Sequence, residues 1–216
     1  MIKRLGCFHA HHSNIAVIDN ALTDLEIELI HFVDPGLDRI KNDPNTTVDV
    51  VQSRVNATLD WIASVHVDAI LITCTFFTAH LDDQWAYPVP IIKIDEPLFQ
   101  WISNNHHSHL LLFTNPSTVD GTIKGLENYA KEHRQTIDVK TYLIPNAFEL
   151  LMNGKKSDYE RTIFNALQEL VINYPDKVIS VAQLSMSSAV QSHTEKRIMN
   201  HYKLLAPYIK KVLSHL

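Results

Sequence analysis

The stretch Asp68-Ala69-Ile70-Leu71-Ile72-Thr73-Cys74-Thr75-Phe76-Phe77-Thr78 constrains the fold more than any other part of the chain. Apolar residues from Ala69 to Ile72 give way at once to small hydroxyl residues around a cysteine. A short apolar run without alternation predicts a strand buried on both faces, as in the centre of a parallel sheet. After Cys74, Thr75 and Thr78 are candidate caps for a helix. The cysteine then stands at the carboxyl end of a central strand, where open α/β sheets bind ligands, and faces the positive end of a helix. A thiol so placed has a lowered pKa and acts as a nucleophile or base. The competing reading is a small buried hydrophobe, since free cysteine is among the most buried residue types.

The length, 216 residues, fits one large domain or two small lobes, and 45% hydrophobic with 20% charged residues can fill a sizeable core. The formal net charge of −5 argues against nucleic acid as the main partner. Two cysteines, Cys7 and Cys74, do not make a disulfide scaffold. Met1-Ile2-Lys3-Arg4 is briefly basic, but His9, His11 and His12 break the apolar stretch behind it. Neither a signal peptide nor a membrane span is read there, and a cytoplasmic protein is expected.

Taken in order, Leu5 to Phe8 predicts a first strand in which Gly6 permits close backbone approach. A polar loop follows, with Ser13 or Asn14 capping a helix through Leu22. Glu26 to Val33 predicts a second strand ending in the turn Asp34-Pro35-Gly36. Lys41 to Thr47 reads as a loop. A helix begins near Thr47, with Val48, Val51, Val55, Leu59 and Ile62 at helical spacing. It feeds the Cys74 strand. Val89 to Ile94 is a further strand, and Asp95-Glu96-Pro97 opens the helix Leu98 to Ser103. Leu110 to Phe113 starts a second unit and leads into Thr114-Asn115-Pro116-Ser117-Thr118 and a helix through His133. Val139 to Ile144, helices Ala147 to Met152 and Tyr159 to Tyr174, and a last strand Val178 to Ala182 come next. Ile198 to Leu216 is an amphipathic tail.

The halves echo each other. In that register Phe8-His9 matches Phe113-Thr114, and Cys74 matches Gln183. Two α/β lobes are expected, residues 1–96 completed by the tail 198–216, and residues 97–197. Facing lobes would put Cys74 and Gln183 on opposite walls of one cleft.

Gly6-Cys7-Phe8-His9, Phe32-Val33-Asp34, Ile72-Thr73-Cys74-Thr75, Ile94-Asp95-Glu96-Pro97, Thr114-Asn115-Pro116-Ser117-Thr118, Asn146-Ala147-Phe148-Glu149 and Val181-Ala182-Gln183-Leu184-Ser185-Met186 run in order along nearly the whole chain. Through these pieces the chain resembles the aspartate/glutamate/hydantoin racemase superfamily. The resemblance implies two Rossmann-like lobes with parallel sheets, related by pseudo-twofold symmetry, and a small carboxylate in the cleft between them. It also implies a cofactor-independent isomerase of amino acid metabolism. Racemases of this superfamily use two cysteines, one on each face of the substrate α-carbon. Cys74 fits the first position, but Gln183 holds the second, and a carboxamide is no acid or base near neutrality. One-cysteine arylmalonate decarboxylases and covalent maleate isomerases are relatives, and neither is a clean match.

Other candidates stand after strand ends. Thr75, Thr114, Ser117 and Thr118 can hold a carboxylate with hydroxyls and free amide N–H groups, or serve as ordinary caps. Asn115 either donates to the same carboxylate or shapes the turn before Pro116. His9 is a candidate proton donor or orienter of the thiol, and otherwise a satisfied loop histidine. Gln183 and Ser185 are candidate carboxylate ligands from the second lobe. The histidine clusters around His9 and His106 lack metal-ligand spacing, so no metal and no cofactor is expected. Three readings follow. One is an isomerase acting at the carbon next to a carboxylate, with Cys74 as base or nucleophile. Another is a decarboxylase of a malonate-like acid that needs only one thiol. The third is a carboxylate-binding protein without chemistry. The expected partner is a small carboxylate, with no nucleic acid and no membrane, and a homodimer is compatible with the chain.

Overall fold

Short apolar runs in each half of the chain pair into a sheet with every strand parallel, in the same spatial order in both halves. The computed structural model describes residues 2–40, 43–82, 85–191 and 193–216. The chain divides into two units, Met1–Glu96 with Leu205–Leu216, and Pro97–Leu204. Met1 and the first two residues of the loop expected over Lys41 to Thr47 lie outside the described residues.

The first unit runs β1 (Lys3–His9), α1 (Ser13–Leu22), β2 (Ile27–Val33), α2 (Pro35–Ile40), α3 (Val48–Ser64), β3 (Ala69–Ile72), α4 (Thr75–Thr78) and β4 (Ile91–Lys93). Its sheet order is β2-β1-β3-β4. All of β3 is buried, as its unbroken apolar sequence requires. Thr47 caps α3, its hydroxyl accepting the Val50 N–H at 3.4 Å. Val51, Val55, Leu59 and Ile62 of α3 are buried against Phe8, Ile70 and Ile72. A Cβ on Gly6 would stand 2.6 Å from Ile62 Cγ2, so only glycine lets α3 lie this close to β1.

The second unit holds most of α5 (Glu96–Asn104), then β5 (Ser108–Phe113), α6 (Val119–Glu132), β6 (Asp138–Leu143), α7 (Ala147–Met152), α8 (Lys156–Asn173), β7 (Val178–Val181), α9 (Ser187–Gln191) and β8 (Ile198–Met199). Its order is β6-β5-β7-β8. Alternation along β5 sends Leu110 and Leu112 to Tyr159, Ile163, Leu167 and Leu170 of α8. Leu111 and Phe113 pack on Leu98, Phe99, Ile102 and Leu126 instead. Helix α10 (His201–Ser214) closes the chain.

Several expectations are corrected. Asp34-Pro35-Gly36 starts α2 rather than a free turn, because the Asp34 carboxylate accepts the Gly36 N–H at 3.0 Å and Pro35 is pre-set for the first helical position. The Val178 strand is not the last. Ile198 and Met199 pair with Ile179 and Ser180, so the expected tail divides at this short edge strand. Arg197 fixes that segment by donating to the carbonyls of Val171, Tyr174, Pro175 and Lys177. The internal register also slips by one residue. Val33 and Ile72 flank His9 and Phe8, while Leu143 and Val181 flank Phe113 and Leu112. His9 therefore corresponds to Phe113 rather than to Thr114. Cys74 corresponds to Gln183, each two residues past an equivalent strand position.

Candidate active site

Cys74 directly precedes the one-turn helix α4, in extended conformation with φ −126° and ψ 115°. It is half-buried and packs against the cluster of Phe8, Ile70, Ile72 and Phe77. The helix start differs from expectation. Thr75 donates its hydroxyl to Asp95 Oδ2 at 3.1 Å, and Thr78 donates to the Thr75 carbonyl at 3.0 Å, so neither side chain caps α4. A single turn also aligns few peptide dipoles, so α4 supplies little of the positive field expected at the thiol. Cys7 is unlike Cys74. It is fully buried in β1, and burial, with Asp19 adding to it, pushes its thiol up to about 12.

Asp95 is a site residue that its sequence context did not single out. It follows β4, is buried with the Thr75 hydroxyl as partner, and burial raises its pKa to about 6. A carboxyl group that changes charge near neutrality therefore lies one hydrogen bond from the residue after Cys74.

His9, at the end of β1, is fully buried. Its Nδ1 lies 2.8 Å from Thr73 Oγ1 and its Nε2 lies 2.8 Å from Nδ1 of His31. His31 Nε2 in turn lies 2.9 Å from Asp19 Oδ1. Burial first, then the neighbouring His31, holds the His9 pKa down at about 4 against the pull of Asp19, so the ring is neutral near pH 7. Phe8 and His9 point to opposite faces of the sheet, and Cys74 packs on the Phe8 face. With both ring nitrogens engaged, His9 reaches the cysteine strand through the Thr73 side chain. Ser13 and Asn14, the expected caps of α1, have other partners. Ser13 pairs with His11, and the Asn14 amide donates to Thr73 Oγ1 at 3.3 Å.

Gln183 occupies the equivalent strand end in the second unit, with φ −119° and ψ 136°. Its carboxamide oxygen accepts from Thr114 N at 2.7 Å, Thr114 Oγ1 at 2.9 Å and Asn115 N at 3.1 Å. Its Nε2 donates to Thr118 Oγ1 at 3.2 Å. The donors read from sequence as a carboxylate cradle thus hold a side chain of the protein itself. Asn115 takes the turn-shaping alternative, its Oδ1 accepting from Ser117 N at 3.0 Å and Ser117 Oγ at 2.8 Å. Thr118 also donates to the Asn115 carbonyl at 2.9 Å. Tyr159, which no sequence signal marked, spans the hydroxyls of Thr114 at 3.2 Å and Ser185 at 3.1 Å and is buried.

The structure thus brings Thr114, Asn115, Ser117, Thr118, Gln183 and Ser185 into one network of the second unit, and Cys74, Thr75 and Asp95 into a neighbourhood of the first. Each of the hydroxyls is already hydrogen-bonded within its own unit. Among the described residues no group of three or more His, Cys, Asp or Glu side chains could hold a metal ion. Among the same residues no helix is long and apolar enough to cross a membrane.

In sequence the chain matches no family model and no curated protein. Solved structures of similar fold do exist. A glutamate racemase isoform from Bacillus anthracis shares 16% identity over 99% of this chain and 82% of its own, with a TM-score of 0.69. The aspartate racemase of Picrophilus torridus shares 14% over 97% and 94%, with a TM-score of 0.66. The allantoin racemase of Klebsiella pneumoniae shares 11% over 98% and 88%, with a TM-score of 0.68. At these identities the likeness is one of fold, a fold shared with glutamate, aspartate and allantoin racemases.

Proposed function

We propose that this chain, sharing the fold of glutamate, aspartate and allantoin racemases, is an isomerase-type enzyme with one working thiol. It acts at the carbon next to the carboxylate of a small acid or amino acid. The observation that carries this is the register equivalence of Cys74 with Gln183, whose carboxamide is tied by four hydrogen bonds. In this reading the Cys74 thiolate takes the proton from the α-carbon, leaving an enolate-like charge, and returns it to the same face, so that inversion comes only from the slower protonation of the other face by water. A second thiol would return a proton to the other face, and at the topological equivalent of Cys74 the chain carries a carboxamide, which is no acid near neutrality. Thr75 and Asp95 act on the substrate carboxylate. When Asp95 takes up a proton, the Thr75 hydroxyl no longer needs to donate to it and turns to the ligand.

A malonate-like substrate gives a second reading that the same observation favours. Loss of carbon dioxide leaves the same enolate, and the Cys74 S–H supplies the single proton required. His9 serves Cys74 indirectly, through Thr73.

The test is protection of Cys74. Iodoacetamide labelling followed by mass spectrometry is run with D- and L-aspartate, D- and L-glutamate and malonate. The expected result is labelling of Cys74 well before Cys7, slowed by one of these acids. Cys7 has about one molecule in 10⁵ as thiolate at pH 7 given its pKa of about 12. Labelling of Cys7 first, or Cys74 labelling that no small carboxylate slows, would overturn the reading.

A further inference from the structure

One chain of polar groups in the first unit runs from the surface to the end of β3. Asp19 in α1 is 52% exposed at its side chain, His31 in β2 is 17% exposed, His9 is fully buried, and Thr73 is buried directly before Cys74. The contacts are 2.9 Å from Asp19 to His31, 2.8 Å from His31 to His9 and 2.8 Å from His9 to Thr73. Thr73 Oγ1 has one further acceptor, the Phe8 carbonyl at 3.2 Å, and one further donor, the Asn14 amide at 3.3 Å. We propose that Asp19, His31, His9 and Thr73 form a proton relay to the residue beside Cys74, in which His31 and Asp19 are positioning residues that set the tautomer of His9.

Donor and acceptor rules leave two arrangements. An ionised Asp19 only accepts, so His31 Nε2 carries a hydrogen in both. When His31 is neutral its Nδ1 is bare, His9 donates from Nε2, and His9 Nδ1 accepts the Thr73 hydroxyl. One added proton makes His31 a cation paired with Asp19. His31 Nδ1 then donates to His9 Nε2, His9 Nδ1 donates to Thr73, and the Thr73 hydroxyl turns to the Phe8 carbonyl. Both bonds inward of His31 reverse for one proton, and His9 stays neutral throughout, in keeping with a pKa held near 4 by burial. A proton entering at Thr73 Oγ1 pushes its hydrogen onto His9 Nδ1. His9 passes its Nε2 hydrogen to His31 Nδ1, and His31 holds the added proton as a cation paired with Asp19, so protons and charge balance.

Cys7, paired in register with His31, is kept neutral by a pKa of about 12. Asn14 is neutral. His11 and His12, in the loop before α1, stack on each other at 4.2 Å, and Asp34 beyond β2 pairs with Arg54 at 3.0 Å.

The relay's use in catalysis rests on the proposed role of Cys74, but its proton arrangement does not. The test is therefore ¹⁵N NMR of the histidine rings across about pH 5 to 8, the range in which histidine changes charge. His9 is expected to switch from the Nε2–H to the Nδ1–H tautomer as the pH falls through that range. In Asp19→Asn the switch moves to lower pH, because the cation loses its carboxylate, and in His31→Leu it disappears. A single His9 tautomer across the range overturns the relay, and a switch that Asp19→Asn leaves in place overturns the part given to Asp19. Cys74 labelling plays no part in this titration, so either proposal can fail while the other stands.

Discussion

The ends of β3 and β7 are the same place in two copies of one topology, and they have gone different ways. At the first, a half-buried thiol is followed by a hydroxyl that answers to a buried carboxyl group, Asp95. At the second, a carboxamide closes on two backbone N–H groups and two hydroxyls and is braced by Tyr159. A strand end in a parallel sheet offers unpaired donors in either case. Filling those donors from within, as Gln183 does, stabilises the unit. On the proposed one-thiol reading, the first unit carries the chemistry and the second is support.

The largest expected effect tests that division directly. Gln183→Leu leaves the Thr114 and Asn115 N–H groups without their acceptor, and should destabilise the protein by about 2–4 kcal/mol in urea unfolding. Cys74→Ala should cost only about 1 kcal/mol, because the side chain is small and half-buried. Equal stability losses at the two positions would erase the comparison. Gln183→Glu should stay close to wild type at neutral pH, since a carboxylate accepts the same three bonds.

Acid sharpens the comparison. His9 and His201 both have pKa values held near 4 by burial, against 6.5 when unfolded. The unfolded chain binds more protons between those values, so each histidine removes about 3 kcal/mol of stability as pH falls from about 6.5 to 4. Asp95 has the opposite sign. Its pKa of about 6, against 3.8, adds stability as pH falls through the same window. In the first unit Asp95 largely offsets His9. In the second unit neither ring nitrogen of the buried His201 has a partner among the described residues, and Tyr159, raised by burial, stays above this range. Hydrogen exchange at pH 4.5 should therefore open the second unit first. His201→Leu should flatten the acid dependence, and Asp95→Asn should steepen it.

Smaller effects come from glycines. Gly6→Ala in the first unit forces Ile62 Cγ2 away from 2.6 Å and should cost about 1–3 kcal/mol. Gly121→Ala in α6 meets nothing within 4 Å and should stabilise by about 0.5–1 kcal/mol in thermal or urea unfolding.

Much of the fold was legible because its signals are local. Thr47 and the spacing of Val51, Val55, Leu59 and Ile62 predicted α3, and the run Ala69 to Ile72 predicted β3. The match of Cys74 with Gln183 was visible because both follow short apolar runs. The one-residue slip that pairs His9 with Phe113 was not, because strand ends are set by pairing partners distant in sequence. Ile198 and Met199 read as part of an amphipathic helix, since a two-residue edge strand has no period of its own. The site was legible in its residue types and less so in its bonding. Gln183 reaches hydrogen-bond partners 65 to 69 positions away, and His9 reaches Thr73 across 64. The sequence gives no sign that the cradle at Thr114 is already filled.

The central claim is that one thiol, at the end of β3, does the chemistry alone. Its most direct test is proton NMR of aspartate, glutamate and malonate incubated with the protein in deuterated water. The account predicts α-hydrogen exchange or decarboxylation that Cys74→Ala abolishes, that Gln183→Glu and Cys7→Ser retain, and that proceeds without inversion. A missing second acid–base group typically lowers a rate by about 10² to 10⁴, so racemisation should lag exchange by that margin. Racemisation of aspartate or glutamate as fast as exchange, and lost in Cys74→Ala, would contradict it by requiring a second base.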